Sequence, residues 1–366
     1  MKTINMLSSA DKIKGQGVGS AYLEQVRLVE EELPEFRVSR NELKCRDIMH
    51  YHTLDLPFLL SVPLAKLHGS VTVGYVHFLP ETVETSLRLP WPAKQIFYAY
   101  MIHYYKSMDR LVTVNPWFIE RLAAYGIPRE RVTYIPNFVS HETFHKLPDG
   151  EKAALRDKYG LPRDRFTVVC AGQLQVRKGF FDFLQTAARL PDIQFVWAGG
   201  FSFGKITDGY DEIKKVVQNP PPNVRFLGIV PREQMNEVYN LADVMFLPSF
   251  EELFPMTVLE SMNCGIPILL RDLELYENIL FDYYLKADSV DDFARDLDRL
   301  RDDSGFYAHY CAKSREGADF YSRRHVAAMW KEFYSHLPAG HPSRRLTLHQ
   351  DMERLLHIGH RKFKES

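Results

Sequence analysis

Apolar and polar positions alternate through the second half of the chain with a regularity that predicts its fold. Five short apolar runs stand out: RFTVVCAG (165–172), IQFVWAGG (193–200), NVRFLGIV (223–230), DVMFLPS (243–249) and GIPILL (265–270). They are rich in Val, Ile and Phe, and most end in Gly or Ser. Amphipathic stretches such as GFFDFLQTAARL and REQMNEVYNLA separate them. Continuous apolar strands alternating with amphipathic helices predict a parallel sheet covered on both faces.

The first half follows the same plan less cleanly. Its candidate strands are TINMLSS, DIMHYHT, VTVGYVH, RLVTVN and VTYIPN, and its candidate helices include SAYLEQVRLVEEEL and WFIERLAAYGI. The polar, proline-bearing stretch HETFHKLPDGEKAALRDKYGLPRD (141–164) is assigned as the interdomain linker. The expected layout is an α/β protein of two Rossmann-like domains, residues 1–150 and 151–320, facing each other across a cleft. Ligands of such sheets bind beyond the carboxyl ends of the strands. Residues 321–366 are expected to form C-terminal helices that pack back toward the first domain, beginning with ADFYSRRHVAAMWKEFYSHL and ending in the basic SRRLTLHQDMERLLHIGHRKFKES.

Composition adjusts this picture only slightly. The 366 residues are 45% hydrophobic and 25% charged with net charge −1, enough to bury two cores and without a global field that would point to nucleic acid. The four cysteines are far apart in sequence, which argues for reduced thiols and against a zinc site. The N-terminus MKTINMLSSADKIKGQGVG has no apolar core of a signal peptide. The most apolar window, around TLDLPFLLSVPLAKLHGSVTVGYVHF, is broken by Asp55, Pro57, Pro63, Lys66 and His68 and cannot span a bilayer.

The candidate chemistry begins in PSFEELFPMTVLESMNCGIP (248–267). Its strand should end near Ser249, and Pro255 fits the first turn of the next helix, where a missing N–H costs nothing. The amides of Met256, Thr257 and Val258 then lie at a helix N-terminus, an anion site, with Glu252 in the loop before it and Glu260 about one turn inside. The acids alone fit equally well a helix acid plus a solvated loop acid. A second loop breaks the tie. CAGQLQVRKGFFDF puts Arg177 and Lys178 against a helix N-terminus, which is unfavourable unless an anion lies between. Both loops leave the same sheet edge, so one shared diphosphate accounts for both. In the first half, KGQGVGSAYLEQ carries Gly15, Gly17 and Gly19, a weak dinucleotide signal but a place for close backbone approach. His52 and His77 stand at strand ends, positions that serve structural hydrogen bonding as well as catalysis, with His77 the better candidate.

With these residues assembled, the chain resembles the retaining glycosyltransferases of family 4, which have the GT-B fold, over about residues 3 to 335. PSFEELFPMTVLESMNCGIPI resembles that family's E-x7-E motif, and AGQLQVRKG occupies the place of its G-R-L-x-x-x-K-G loop. The resemblance implies that Lys178 and the amides of Met256, Thr257 and Val258 bind the donor diphosphate, and that Glu260 holds the ribose. It further implies Glu252 beside the donor sugar, His77 at the reaction centre, Gly17 near the phosphates and Ile229 gripping the base through main chain. Two departures stand out. Gln173 replaces the motif's arginine, so Arg177 is expected to supply the missing charge, and Leu253 stands where glycine is common. The implied reaction is hexose transfer from UDP-glucose or UDP-galactose with retention. No cofactor or obligatory metal is expected, because no Asp-x-Asp motif appears where a metal-dependent transferase would need it.

For the acceptor, LRLPWPAKQIFYAYMIHYYKSMDRL (87–111) combines aromatic and basic residues on one helical segment. Trp91, Lys94, Phe97, Tyr98 and Lys106 are the candidate contacts to an anionic membrane. The alternative is a core helix whose tyrosines keep their hydroxyls wet. INMLSSADKIKGQGVGSAYLEQV and GQLQVRKGFFDF resemble Gram-positive synthases that add a hexose to monoglucosyl-diacylglycerol. The expected protein is therefore a cytoplasmic enzyme peripherally bound to the inner face of the cell membrane. A family 4 enzyme acting on a soluble acceptor, and a silent GT-B adaptor, are the alternatives.

Overall fold

The computed structural model of the protein describes residues 1–10, 17–83, 90–201 and 209–338. Among these, the strands form two six-stranded, wholly parallel sheets. The first contains β1 (Lys2–Leu7), β2 (Phe36–Arg40), β3 (Ile48–Tyr51), β4 (Val71–Val76), β5 (Arg110–Thr113) and β6 (Val132–Tyr134). Their order is β2-β1-β3-β4-β5-β6. The second contains β7 (Thr167–Ala171), β8 (Gln194–Ala198), β9 (Val224–Gly228), β10 (Val244–Leu247), β11 (Ile268–Arg271) and β12 (Leu285–Ala287). Their order is β12-β11-β10-β7-β8-β9.

All ten expected strands are present. The two that the hydrophobic pattern does not reveal, β2 and β12, are edge strands. FRVSR buries only its first residue and LKA is three residues long, so neither carries an apolar run. Inner strands such as β4, β7 and β8 are buried throughout because helices cover both faces. Strand order reverses between β1 and β3 in one sheet and between β7 and β10 in the other. Loops diverge at these switch points and leave a crevice.

One apolar core runs through both halves, from Ile4 and Val26 through Phe138 and Phe144 to Trp197, Phe246 and Trp330. A second, with Met49, Val76, Tyr104 and Phe118, lies on the other side of the first sheet. The expected linker is docked along much of its length. Its helix Glu151–Lys158 buries Arg156, whose Nη2 lies 2.6 Å from Asp243 Oδ2 and whose Nε donates to the Leu241 carbonyl at 2.9 Å. The closing helix divides in two, Ser304–Phe320 and Arg323–His336, with Ser322 capping the second through the His325 amide. That second helix returns to the first half, where Lys2 Nζ donates to the carbonyls of Tyr334, Ser335 and Leu337 at 2.6–3.0 Å. The basic terminal segment 343–366 lies outside the described residues.

The window that prolines interrupt, LPFLLSVPLAKL, forms the helix Leu56–Leu67 with Pro57 in its first turn and Pro63 inside it. No helix among the described residues is long and apolar enough to cross a membrane.

Candidate active site

The two loops expected to share an anion leave adjacent strands, β7 and β10, on either side of the switch point of the second sheet. Arg177 and Lys178 lie in a one-turn 3-10 helix, Val176–Lys178, directly before the helix Phe180–Arg189 rather than within it. Gly179 joins the two at φ 73°, and a Cβ there would stand 2.1 Å from the Pro248 carbonyl oxygen, so only glycine lets the loops close on each other. The Phe250 amide completes the contact by donating to the Arg177 carbonyl at 2.8 Å. This clasp brings Lys178 onto Glu252 in a buried ion pair, side chains 13% and 6% exposed. Ser249 Oγ donates to the same Glu252 oxygen at 2.7 Å. Arg177 Nη1 donates to the Glu251 carbonyl at 3.3 Å, while Gln173 accepts from Gln175 Nε2 at 2.7 Å.

Pro255 is the N-cap of the helix Met256–Asn263, one position earlier than expected. The Val258 amide, expected to be free, donates to the Pro255 carbonyl at 3.1 Å, which leaves Met256 and Thr257 at the open end of the helix. Glu260 is buried on the other side of this turn. Its Oε1 receives Arg232 Nη1 at 2.6 Å and its Oε2 receives the Tyr239 hydroxyl at 2.6 Å. Ile229, on the loop after β9, is 68% exposed.

From the first half, His77 follows β4 and stacks flat on Tyr75, ring centroids 4.3 Å apart. Behind them lie His52, 5.3 Å from Tyr75, and His50, 4.2 Å from His52. Strand alternation places His50 and His52 on one face of β3, and Tyr75 and His77 on the matching face of β4. His50 Nδ1 meets the Tyr334 hydroxyl at 2.9 Å, but His50 Nε2, His77 Nε2 and both nitrogens of His52 have no partner. Burial holds all three rings neutral, pushing His50 and His77 down to about 3 and His52 well below the ordinary value. His50 was not singled out from the sequence, although the alternation H-x-H beside Y-x-H carries the signal. Gly17 opens the helix Gly17–Glu32, and Gly15 lies outside the described residues. Gly19 faces the Ala10 carbonyl oxygen, 2.8 Å from where a Cβ would stand.

Comparison with known proteins gives the family of the chain. Residues 151–317 match the family model "Glycosyl transferases group 1", and residues 25–143 match "Glycosyltransferase Family 4". The alpha-galactosylglucosyldiacylglycerol synthase of Streptococcus pneumoniae is 46% identical over 332 residues, 90% of this chain and 88% of the relative. The chain belongs to the family 4, group 1 glycosyltransferases. A processive diacylglycerol alpha-glucosyltransferase of Acholeplasma laidlawii is 24% identical over 82% of the chain and 88% of its own length. Among solved structures, Anabaena HepE in complex with UDP and glucose superposes with TM-score 0.73 at 14% identity, over 92% of this chain and 100% of that one. Sucrose-phosphate synthase from Thermosynechococcus elongatus gives 0.76 at 16%, over 92% and 99%. These likenesses show the shared GT-B fold.

In this glycosyltransferase, Leu253 has a place that its sequence position did not explain. Its side chain packs on the core cluster of the first half, and its carbonyl accepts from Asn115 Nδ2 at 3.1 Å, as does the carbonyl of Leu275. Leu253 therefore pins the Glu252 loop across the cleft. The aromatic segment forms the helix Trp91–Ser107, and it divides by face. Met101, Tyr104 and Tyr105 are buried, and the hydroxyls of Tyr100, Tyr104 and Tyr105 donate to the carbonyls of Leu54, Thr53 and Phe78 rather than to solvent. Phe97 and Tyr98 are half-buried against the same cluster, Lys94 is half-buried, and Lys106 is exposed. The outward apolar groups are Trp91, 74% exposed, and Ile96, joined by Leu56, Leu60 and Leu64 of the helix Leu56–Leu67. That leucine row, spaced four apart, was not read from the sequence.

Proposed function

We propose that this glycosyltransferase moves a hexose from a UDP-sugar, UDP-glucose or UDP-galactose, to glucosyl-diacylglycerol, with retention at the anomeric carbon. The observation that carries the reading is the 46% identity to alpha-galactosylglucosyldiacylglycerol synthase over 90% of the chain. The diacylglycerol glucosyltransferase relative supports a lipid acceptor, and HepE, which shares the fold, binds UDP-glucose.

In this reading the diphosphate lies between Lys178 and the amides of Met256 and Thr257, with Arg177 the second cation of the loop. Glu260 takes the ribose, and the main chain at Ile229 takes the base. Gly17, at the start of its helix, lets backbone approach the phosphates. The bond from the anomeric carbon to the β-phosphate oxygen breaks, and its electron pair leaves with UDP. The acceptor oxygen bonds to the same face of the sugar, and its proton passes to the departing diphosphate. Lys178 matters most where charge develops on that leaving group, and one such preorganised donor contributes roughly 3–4 kcal/mol. Glu252 presents its carboxylate to the sugar as positive charge builds there, with Ser249 and Lys178 fixing its orientation. His77, neutral because it is buried, offers a hydrogen bond at the sugar without adding a cation.

The acceptor is met at an anionic membrane surface. Leu56, Leu60, Leu64, Trp91 and Ile96 enter the interface, with Lys94 and Lys106 on the same helix as the last two. Phe97 and Tyr98 serve from behind, as packing that holds the helix in place. The test is incubation of the protein with radiolabelled UDP-glucose or UDP-galactose and vesicles of diacylglycerol or glucosyl-diacylglycerol, followed by lipid extraction. The reading requires label in a dihexosyl lipid. Label transferred only to a soluble acceptor would replace it with the second family 4 reading, and no turnover of either UDP-sugar would leave a silent adaptor.

A further inference from the structure

Arg232 occupies a position that neither the sequence motifs nor the proposed reaction assigns. It stands in the 3-10 turn Arg232–Gln234 after β9, and its guanidinium spans the two halves of the molecule. Nη1 bonds Glu260 Oε1 at 2.6 Å, and Nη2 bonds Glu24 Oε1 of the first-half helix Gly17–Glu32 at 3.1 Å. The ring of Phe144 lies under it at 5.0 Å. Glu24 and Glu260 are 5% and 4% exposed. Two buried carboxylates are therefore held by one fork-shaped cation, a geometry that a lysine ammonium does not reproduce.

We infer that Arg232 is a positioning residue that couples nucleoside binding at Glu260 to closure of the first half onto the second. The inference rests on the reading of Glu260 as the ribose-binding acid. A carboxylate offers about four acceptor directions. Arg232 and Tyr239 use two of those on Glu260, which leaves two for a ribose diol. The same guanidinium reaches Glu24 only while the halves are together. If they part, the buried Glu24 loses the one cation within hydrogen-bond reach among the described residues, so the bridge favours the closed arrangement. Closure matters because His77 and the N-terminus of the helix Gly17–Glu32 come from one half, and Lys178 and Glu252 come from the other. The Glu24 arm should thus serve turnover and, through closure, nucleotide affinity, while the Glu260 arm meets the nucleotide directly.

The test separates the arms with the full-length protein. Isothermal titration with UDP, transfer kinetics and small-angle X-ray scattering with and without UDP are compared for wild type, Glu24→Gln, Arg232→Lys and Glu260→Gln. Glu24→Gln, of the same shape, should weaken UDP binding several-fold, because a closure that UDP favours contributes equally to UDP affinity. It should also lose roughly tenfold in kcat and compact less when UDP is added. Arg232→Lys keeps the charge but loses the fork, and should lower kcat and weaken UDP together. Wild-type kcat and compaction in Glu24→Gln would overturn the bridge. So would losses of kcat and UDP affinity in that variant with wild-type compaction, the pattern of general damage. Glu260→Gln tests the underlying reading: unchanged UDP affinity there would remove the ribose assignment itself, whereas weakened UDP binding with an inert Glu24→Gln would remove only the coupling. Arg232→Lys keeps the experiment decisive if Glu24→Gln folds poorly, because unchanged kcat in Arg232→Lys also refutes the coupling.

Discussion

Replacing Lys178 with methionine removes the cation assigned to the leaving diphosphate, and the structure says that the change strikes folding as well. The pair it forms with Glu252 is buried, 13% and 6% exposed by side chain. Removing one partner of such a pair leaves a buried, uncompensated carboxylate, at roughly 3–5 kcal/mol. Ser249 Oγ still donates to Glu252 and offsets part of that. Measured against a typical stability of about 5–15 kcal/mol, the variant should fold but melt early. A drop in activity by itself would therefore be ambiguous.

The double variant Lys178→Met with Glu252→Leu resolves it, because exchanging a whole buried pair for apolar groups of similar size is close to neutral for stability. The prediction is a urea midpoint that falls in Lys178→Met and recovers in the double variant. Turnover should fall about 10²- to 10³-fold in Lys178→Met, the usual loss for one preorganised donor to developing charge, and at least as far in the double variant, which also lacks the carboxylate placed at the sugar. Single-turnover transfer from labelled UDP-hexose, run beside urea unfolding, reads both quantities. Turnover that recovers together with stability would refute the assignment of Lys178 to the leaving group.

Three further predictions follow from the geometry. The rings of His50, His52 and His77 are neutral in the fold but titrate near pH 6.5 when unfolded, so the unfolded chain binds more protons as pH falls. Stability should therefore be lost as pH falls below 6.5, by roughly 1 kcal/mol per ring over the first pH unit. His52→Phe should remove its share, whereas a urea midpoint flat from pH 7 to 5.5 would contradict the account. Leu60→Ser with Trp91→Ala, both exposed, should abolish co-sedimentation with anionic vesicles while shifting stability by no more than roughly 0.5 kcal/mol each; retained binding would place the membrane face elsewhere. Arg177→Ala should weaken UDP binding if this side chain stands in for the arginine that Gln173 replaces, and unchanged affinity would reduce Arg177 to a brace for the Glu251 carbonyl.

Much of this was legible in the sequence because parallel strands buried on both faces write unbroken apolar runs, and because site loops sit at their ends. RFTVVCAG and DVMFLPS located β7 and β10, and with them Lys178 and Glu252. Edge strands are another matter: β2 is half polar and β12 is three residues long, so neither departs from the look of a loop. Contacts between distant segments left no local trace either. Glu24 and Arg232 are 208 positions apart, and nothing in either neighbourhood marks them as partners. Leu253 was conspicuous only as a departure from a glycine, and its role emerged once Asn115 and the first-half core were seen across the cleft from it. The aromatic helix was half misread. Tyr104 and Tyr105 belong to the core and, with Tyr100, satisfy their hydroxyls on backbone carbonyls, while the outward apolar face is completed by leucines from a helix that its prolines had disguised.

The central claim, hexose transfer to a glycolipid with retention, is tested most directly on the product. The lipid formed from UDP-glucose or UDP-galactose and glucosyl-diacylglycerol should be purified, and the anomeric configuration of its new glycosidic bond read by proton NMR. The account predicts a dihexosyl-diacylglycerol whose newly added sugar is α-linked, as in the UDP-sugar donor. A β-linked product, or a labelled hexose released only as free sugar, would contradict it.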